Sequence, residues 1–106
     1  MPKYMIQGSY TVEGLKGLHK DKASGRKAAI GAAAESLGGK LEAMYYTLGQ
    51  DDVFVIVDMP DTVSATALAL AASGSGLVRT KTAALLTVEE TDKALGKSVS
   101  YRAPGR

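Results

Sequence analysis

Asp51 and Asp52 sit side by side in a turn, just after Leu48-Gly49 and just before five consecutive apolar residues, Val53–Val57. Neighbouring carboxylates repel each other, so one of them can hold its proton to a higher pH and act as an acid or base. The plainer reading is turn formation, since Asp bonds readily to nearby backbone. His19, the chain's single histidine, falls in a run of lysines. Its side chain suits general-base work or ligation of haem or metal; solvation is the alternative. His19, Asp51 and Asp52 are the catalytic candidates. They are also the one set that approaches a metal-binding group, but such sites gather several ligands together, and no metal site is expected.

Four further residues are candidates for holding a ligand: Tyr10, Arg26, Tyr46 and Arg79. Arg26 shares a predicted helix face with Ile30, Ala33 and Leu37. Its stem can pack while its head reaches water, or the head can pair with Asp52 or bind an anion. Arg79 alternates with apolar and Thr positions on a predicted edge strand, where charge blunts unwanted pairing. Tyr10, Tyr45 and Tyr46 read first as packing residues, although a tyrosine lining a pocket can orient or protonate a substrate.

The elements that must position these groups follow from punctuation and period. Tyr4–Thr11 reads as a strand, rich in Tyr, Ile and Thr. Gly14–Lys22 reads as a basic connector with a helical turn. Ser24–Leu37 carries apolar residues at helical spacing, and Gly38-Gly39 ends it. Lys40–Leu48 is the second strand and Gly49–Asp52 a hairpin turn. Val53–Val57 is apolar throughout, as befits a central strand buried on both faces. Pro60 stops that strand, and Asp61 caps a helix over Thr62–Ser73. Leu77–Leu86 is the fourth strand, followed by a helical turn at Glu89–Leu95.

The order is βαββαβ, an α+β, ferredoxin-like arrangement: a four-stranded antiparallel sheet with the second and fourth strands at its edges and helices on one face. Strand directions bring Thr11, Gly14, His19, Gly49–Asp52 and Arg79 to one end, with Arg26 expected beside Asp52. On the third strand Val53, Val55 and Val57 are assigned to the helix side, which turns Phe54 and Ile56 to the open face. Met44 and Tyr46, or their alternates Ala43 and Tyr45, join that surface. Met44, Phe54 and Ile56 are therefore the expected interface, because a monomer rarely displays such a sheet face.

Composition bounds the rest. The chain of 106 residues is one domain, placed at residues 1–96, with a basic tail at 97–106. It has one Phe, no Trp and no Cys, so thiolate chemistry and disulfides are excluded. Its apolar mass is mostly alanine, which buries little area per side chain and favours an oligomer. The net charge of +2 does not point to nucleic acid, and the tail lacks the aromatic interleaving of a nucleic-acid binder. No apolar run is long enough to span a membrane, and the cytoplasm is the default compartment. No dinucleotide or phosphate-loop signature occurs, and the sequence names no cofactor.

The motifs resemble those of the GYD domain family. They include Tyr10-Thr11 with Gly14, Arg26, Gly38-Gly39-Lys40, and Tyr46 with Leu48-Gly49. Asp52 before the Val53–Val57 run, Asp58-Met59-Pro60-Asp61, and Gly76 with Val78-Arg79-Thr80 and Thr82 complete the set. The match spans Tyr4 to Thr87. Asp51 stands where the family has its name-giving tyrosine, so no phenol-dependent reaction is expected at that position. The resemblance implies a dimeric α/β-barrel assembly, in which two ferredoxin-like sheets pack face to face. The wider group includes small monooxygenases, haem enzymes and stress-response proteins. Three functions follow as expectations: an oligomeric protein that binds a small ligand or is structural; a small enzyme with a pocket between sheet and helices; and a self-assembling, compartment-associated protein.

Overall fold

The computed structural model describes residues 1–106. Its elements run β1 (Lys3–Tyr10), α1 (Val12–Ser36), β2 (Lys40–Tyr46), β3 (Val53–Asp58), α2 (Thr62–Gly74), β4 (Val78–Leu85) and α3 (Val88–Leu95). The four strands form one antiparallel sheet in the order β2-β3-β1-β4, the ferredoxin-like topology, with β2 and β4 at the edges.

β3 is central, and its alternation decides what the sheet's two faces do. Val53, Val55 and Val57 are buried under the helices, while Phe54 and Ile56 are half-buried on the opposite face. On β1 the helix side carries Tyr4, Ile6 and Gly8. Tyr4, Ile6, Val55 and Val57 meet Ala34 of α1, Met59, and Ala65 and Leu68 of α2 in the core. Val57 and Met59 are completely shielded from solvent, and burying each contributes about 1.5–3 kcal/mol. The Tyr4 hydroxyl reaches Thr62 Oγ1 at 2.8 Å, so its polar tip is satisfied at the edge of the core.

The helix ends are built as the residue types demand. Asp61 Oδ1 accepts from the Ser64 N–H at 2.7 Å and starts α2. Gly38 sits at φ 81°, and the N–H groups of Gly38 and Gly39 return to the carbonyls of Glu35 and Ala34. That pair of bonds closes α1 in a Schellman motif. α3 begins with a reciprocal cap between Thr87 and Glu90.

Two expectations are corrected. The segment Gly14–Lys22, read as a connector, is helical from Val12 onward; Thr11 caps it by accepting from the Gly14 N–H at 3.1 Å. α1 therefore has two parts, separated by a break at Lys22 (φ 65°, ψ 166°). Met44, expected on the open face, lies on the helix side. It pairs with Val55, so the two share a face, and it packs against the core. A β-bulge between Leu41 and Ala43 sets this phase, leaving Ala43 and Tyr45 to join Ile56 and Phe54 on the open face. The Tyr45 and Phe54 rings lie 5.6 Å apart there.

Candidate functional site: a cavity between sheet and helices

The chain reverses at Tyr10-Thr11, and the first part of α1 must cross close over the turn before β4. Gly14 makes this crossing possible. A Cβ there would lie 1.8 Å from the Leu77 carbonyl oxygen, which already accepts the Thr11 N–H at 3.0 Å. Pinned in this way, the two parts of α1 arch over the upper end of the sheet and leave a cavity of about 240 Å³. Ile6, Val53 and Val55 form its floor, Met44 and Ile30 one wall, and Leu68, Leu77 and Val78 another. Gly8 lies in the floor. A Cβ on it would press on Val78 and Val53 at 3.0 and 3.2 Å. Gly17 lies in the roof, where a Cβ would meet nothing within 4 Å.

The polar groups of the cavity are few: Tyr10, Asp21, Arg26, Ser75 and Thr80. Asp21 ends the first part of α1 and Arg26 lies early in the second. Their side chains approach across the break, with a guanidinium nitrogen 3.7 Å from Asp21 Oδ2. The expected Arg26–Asp52 pair does not form. Asp52 Oδ2 instead accepts the Tyr10 N–H at 2.8 Å, which ties the β2–β3 hairpin to the end of β1. The geometry of the hairpin requires this, because the Asp52 N–H already extends the ladder to the Gly8 carbonyl.

Asp51 turns the other way, onto the open face. It accepts from Ser9 Oγ at 3.0 Å and pairs with Lys81 at 3.1 Å. Lys81, then Ser9, hold its carboxyl below the usual carboxylate range. That is the opposite of the raised value an acid–base role at Asp51 requires. Arg79 shares the upper end but stands opposite Ser9 in the β1–β4 register, on the open face and away from the cavity. His19 is exposed on α1. With Leu18, Lys22, Ala23 and Tyr46 it lines a second hollow of about 200 Å³ beside the first. Partial burial, then the adjacent Tyr10 hydroxyl, push the Tyr46 phenol up against an opposing pull from Arg26. His19, Asp51 and Asp52 do not come together as a metal-binding set.

The structure thus brings Tyr10, Arg26 and Tyr46 to one corner and sends Asp51 and Arg79 to the other face of the sheet. Asp21 is the functional-site residue that sequence reasoning passed over. A helix over Val12–Asp21 is the signal that places it five residues before Arg26 across a bend.

No helix is long and apolar enough to cross a membrane. No curated protein and no solved structure matches the chain. The model of the GYD domain family matches residues 4–95, which takes in the four-stranded sheet from Tyr4 onward and all three helices, and so the whole lining of the cavity. The chain belongs to the GYD domain family.

Proposed function

We propose that this protein binds a small, compact and largely apolar molecule in the cavity under α1 and α2, and that it works as a homo-oligomer assembled through the open face of its sheet. The observation that carries the reading is the cavity itself: a roofed, mostly apolar space whose few polar groups gather at one corner. Sites of this kind suit binding, with polar groups fixing the ligand's orientation. The groups that would argue for an enzyme do not enter it. His19 faces the neighbouring hollow, Asp51 is committed to Lys81, and Asp52 to the Tyr10 N–H.

Assembly has its own support. The open face presents Met5, Phe54, Ile56, Ala43 and Tyr45 with no element of the chain lying across it. It carries ionic pairs at both ends, Asp51–Lys81 at one and Lys3 with Glu42 and Asp58 at the other. A second copy meets such a face with like apolar centre and mixed-charge rim.

Native mass spectrometry, followed by extraction of any retained small molecule, tests both parts. The expected result is a multiple of the 11.0 kDa chain and a ligand that Gly17→Leu excludes by filling the roof. A wild-type monomer at micromolar concentration removes the assembly. A retained molecule that Gly17→Leu holds equally well removes the cavity as its site.

A further inference from the structure

We propose that the cavity selects a small monocarboxylate with a compact apolar body, and that the ligand's carboxylate displaces Asp21 from Arg26 across the break in α1. This rests on the cavity reading above and adds the chemical class of the ligand.

Among the residues lining the cavity, Arg26 is the one cation and Asp21 the one anion. A guanidinium is a rigid fork of donors that fits a carboxylate through two parallel bonds. Arg26 is not used in that way within the chain. Its ionic partner is Asp21, through a single approach of 3.7 Å. That is longer than an ordinary charge-assisted hydrogen bond, about 2.7–2.9 Å. The fork is therefore held near the cavity but left short of a well-formed partner.

Exposure decides which of the two acidic groups, Asp21 or a ligand, should hold Arg26. The Asp21 side chain is 47% exposed and that of Arg26 31%. Asp21 can turn to water at little cost, whereas Arg26 is the less exposed of the two and lines the cavity, so it gains more from a partner inside. An amine ligand would face the reverse situation: repulsion from Arg26 on the inner side, and a partner, Asp21, already well solvated.

Size sets the body. At roughly 30 Å³ per water-sized group, a 240 Å³ cavity takes on the order of eight non-hydrogen atoms. Benzoate and hexanoate are of this size. Such a body would lie against Ile30, Met44, Val55 and Leu68, which are the cavity's apolar walls and floor.

The break in α1 gives the exchange a structural consequence. Lys22 has φ 65° and ψ 166°, a strained backbone state that is essentially reserved for glycine. Asp21 and Arg26 flank it, so the loose ion pair is a latch across the hinge. Releasing Asp21 from Arg26 frees the first part of α1 to adjust over the ligand.

The test is calorimetric titration with benzoate, benzyl alcohol and benzylamine into wild type, Asp21→Asn, Arg26→Gln and Gly17→Leu. Wild type should prefer benzoate over benzyl alcohol by about tenfold, the return of one charge-assisted contact, and benzylamine should bind least. Asp21→Asn, which removes the competing carboxylate, should strengthen that preference. Arg26→Gln should abolish it, and Gly17→Leu should exclude all three probes. If Arg26→Gln fails to fold, the direction of the Asp21→Asn effect still decides. Benzyl alcohol binding as well as benzoate, or Asp21→Asn weakening benzoate, overturns the carboxylate exchange while leaving the cavity reading in place. No binding of any probe to wild type overturns both.

Discussion

Gly14 and Gly17 lie three residues apart in the first part of α1, and the same substitution should have opposite effects at the two sites. At Gly14 an added Cβ falls 1.8 Å from the Leu77 oxygen, 2.9 Å from its carbonyl carbon and 3.1 Å from the Tyr10 ring. The first two are backbone atoms, which cannot swing aside as a side-chain tip would. The helix must lift off β4, which also strains the Thr11 N–H bond to the same oxygen. Overpacking of about 1–3 kcal/mol and a lost hydrogen bond of about 1 kcal/mol give a cost of about 2–4 kcal/mol for Gly14→Ala. At Gly17 nothing lies within 4 Å of the new atom. Gly17→Ala should therefore gain the helix-propensity difference, about 0.8–1.0 kcal/mol. In a chain of this size 1 kcal/mol moves the melting temperature by roughly 4–8 °C. Thermal unfolding followed by circular dichroism, at one protein concentration because self-association couples to stability, should show a fall of roughly 10–30 °C for Gly14→Ala and a rise of about 3–8 °C for Gly17→Ala. Shifts of the same sign in both variants would show that α1 does not cross Leu77 as described.

If the proposed assembly through the open face holds, Ile56→Lys should yield monomer or insoluble protein, since it puts a charge at the centre of that face; sedimentation velocity reads this, and a variant that assembles as wild type does refutes the interface. Asp61→Ala should cost about 1 kcal/mol through loss of the α2 cap, seen as a lower denaturant midpoint with an unchanged slope. Lys3 holds the Asp58 carboxyl below the usual range, and Asp58, then Glu42, raise the Lys3 ammonium. The Asp58 contribution is present above the ordinary Asp value of about 4 and is lost as pH falls through the depressed folded value. The Lys3 contribution is present below its ordinary value of about 10.5 and is lost as pH rises through the raised one. Wild type should accordingly exceed Lys3→Met in stability near neutral pH, with the gap closing at both extremes; a gap that persists in strong acid contradicts the pairing.

The elements most legible in the sequence were those with strong local signals. The Val53–Val57 run marked the central strand, Pro60-Asp61 the start of α2, and Gly38-Gly39 the end of α1, because each reflects a backbone constraint that acts within a few residues. The first part of α1 was not legible. Its two glycines and its lysines carry no apolar stripe, and the reason for Gly14 is a carbonyl more than sixty positions away in sequence. The facing of β2 was undecided for a similar reason: its own alternation allows either phase, and the bulge at Leu41/Ala43 chooses one. Strand directions correctly brought the charged groups to one end. They could not say which face of the sheet each would take, and that divides Arg26 in the cavity from Asp51 and Arg79 on the open side. The order of the elements marks the ferredoxin-like fold, while the pairing of Arg26 with Asp21 depends on a helix break that local sequence does not announce.

The chain's three isoleucines offer the most direct test of the central claim, that a ligand sits between the sheet and the helices. Ile6 and Ile30 line the cavity, whereas Ile56 lies on the open face. Labelling the isoleucine δ1 methyls gives one resonance from each, and benzyl alcohol serves as a neutral probe independent of the carboxylate inference. On titration the Ile6 and Ile30 methyls should shift together and saturate at one dissociation constant, with Ile56 unmoved. A shift at Ile56 alone, or none at Ile6 and Ile30, would contradict the account.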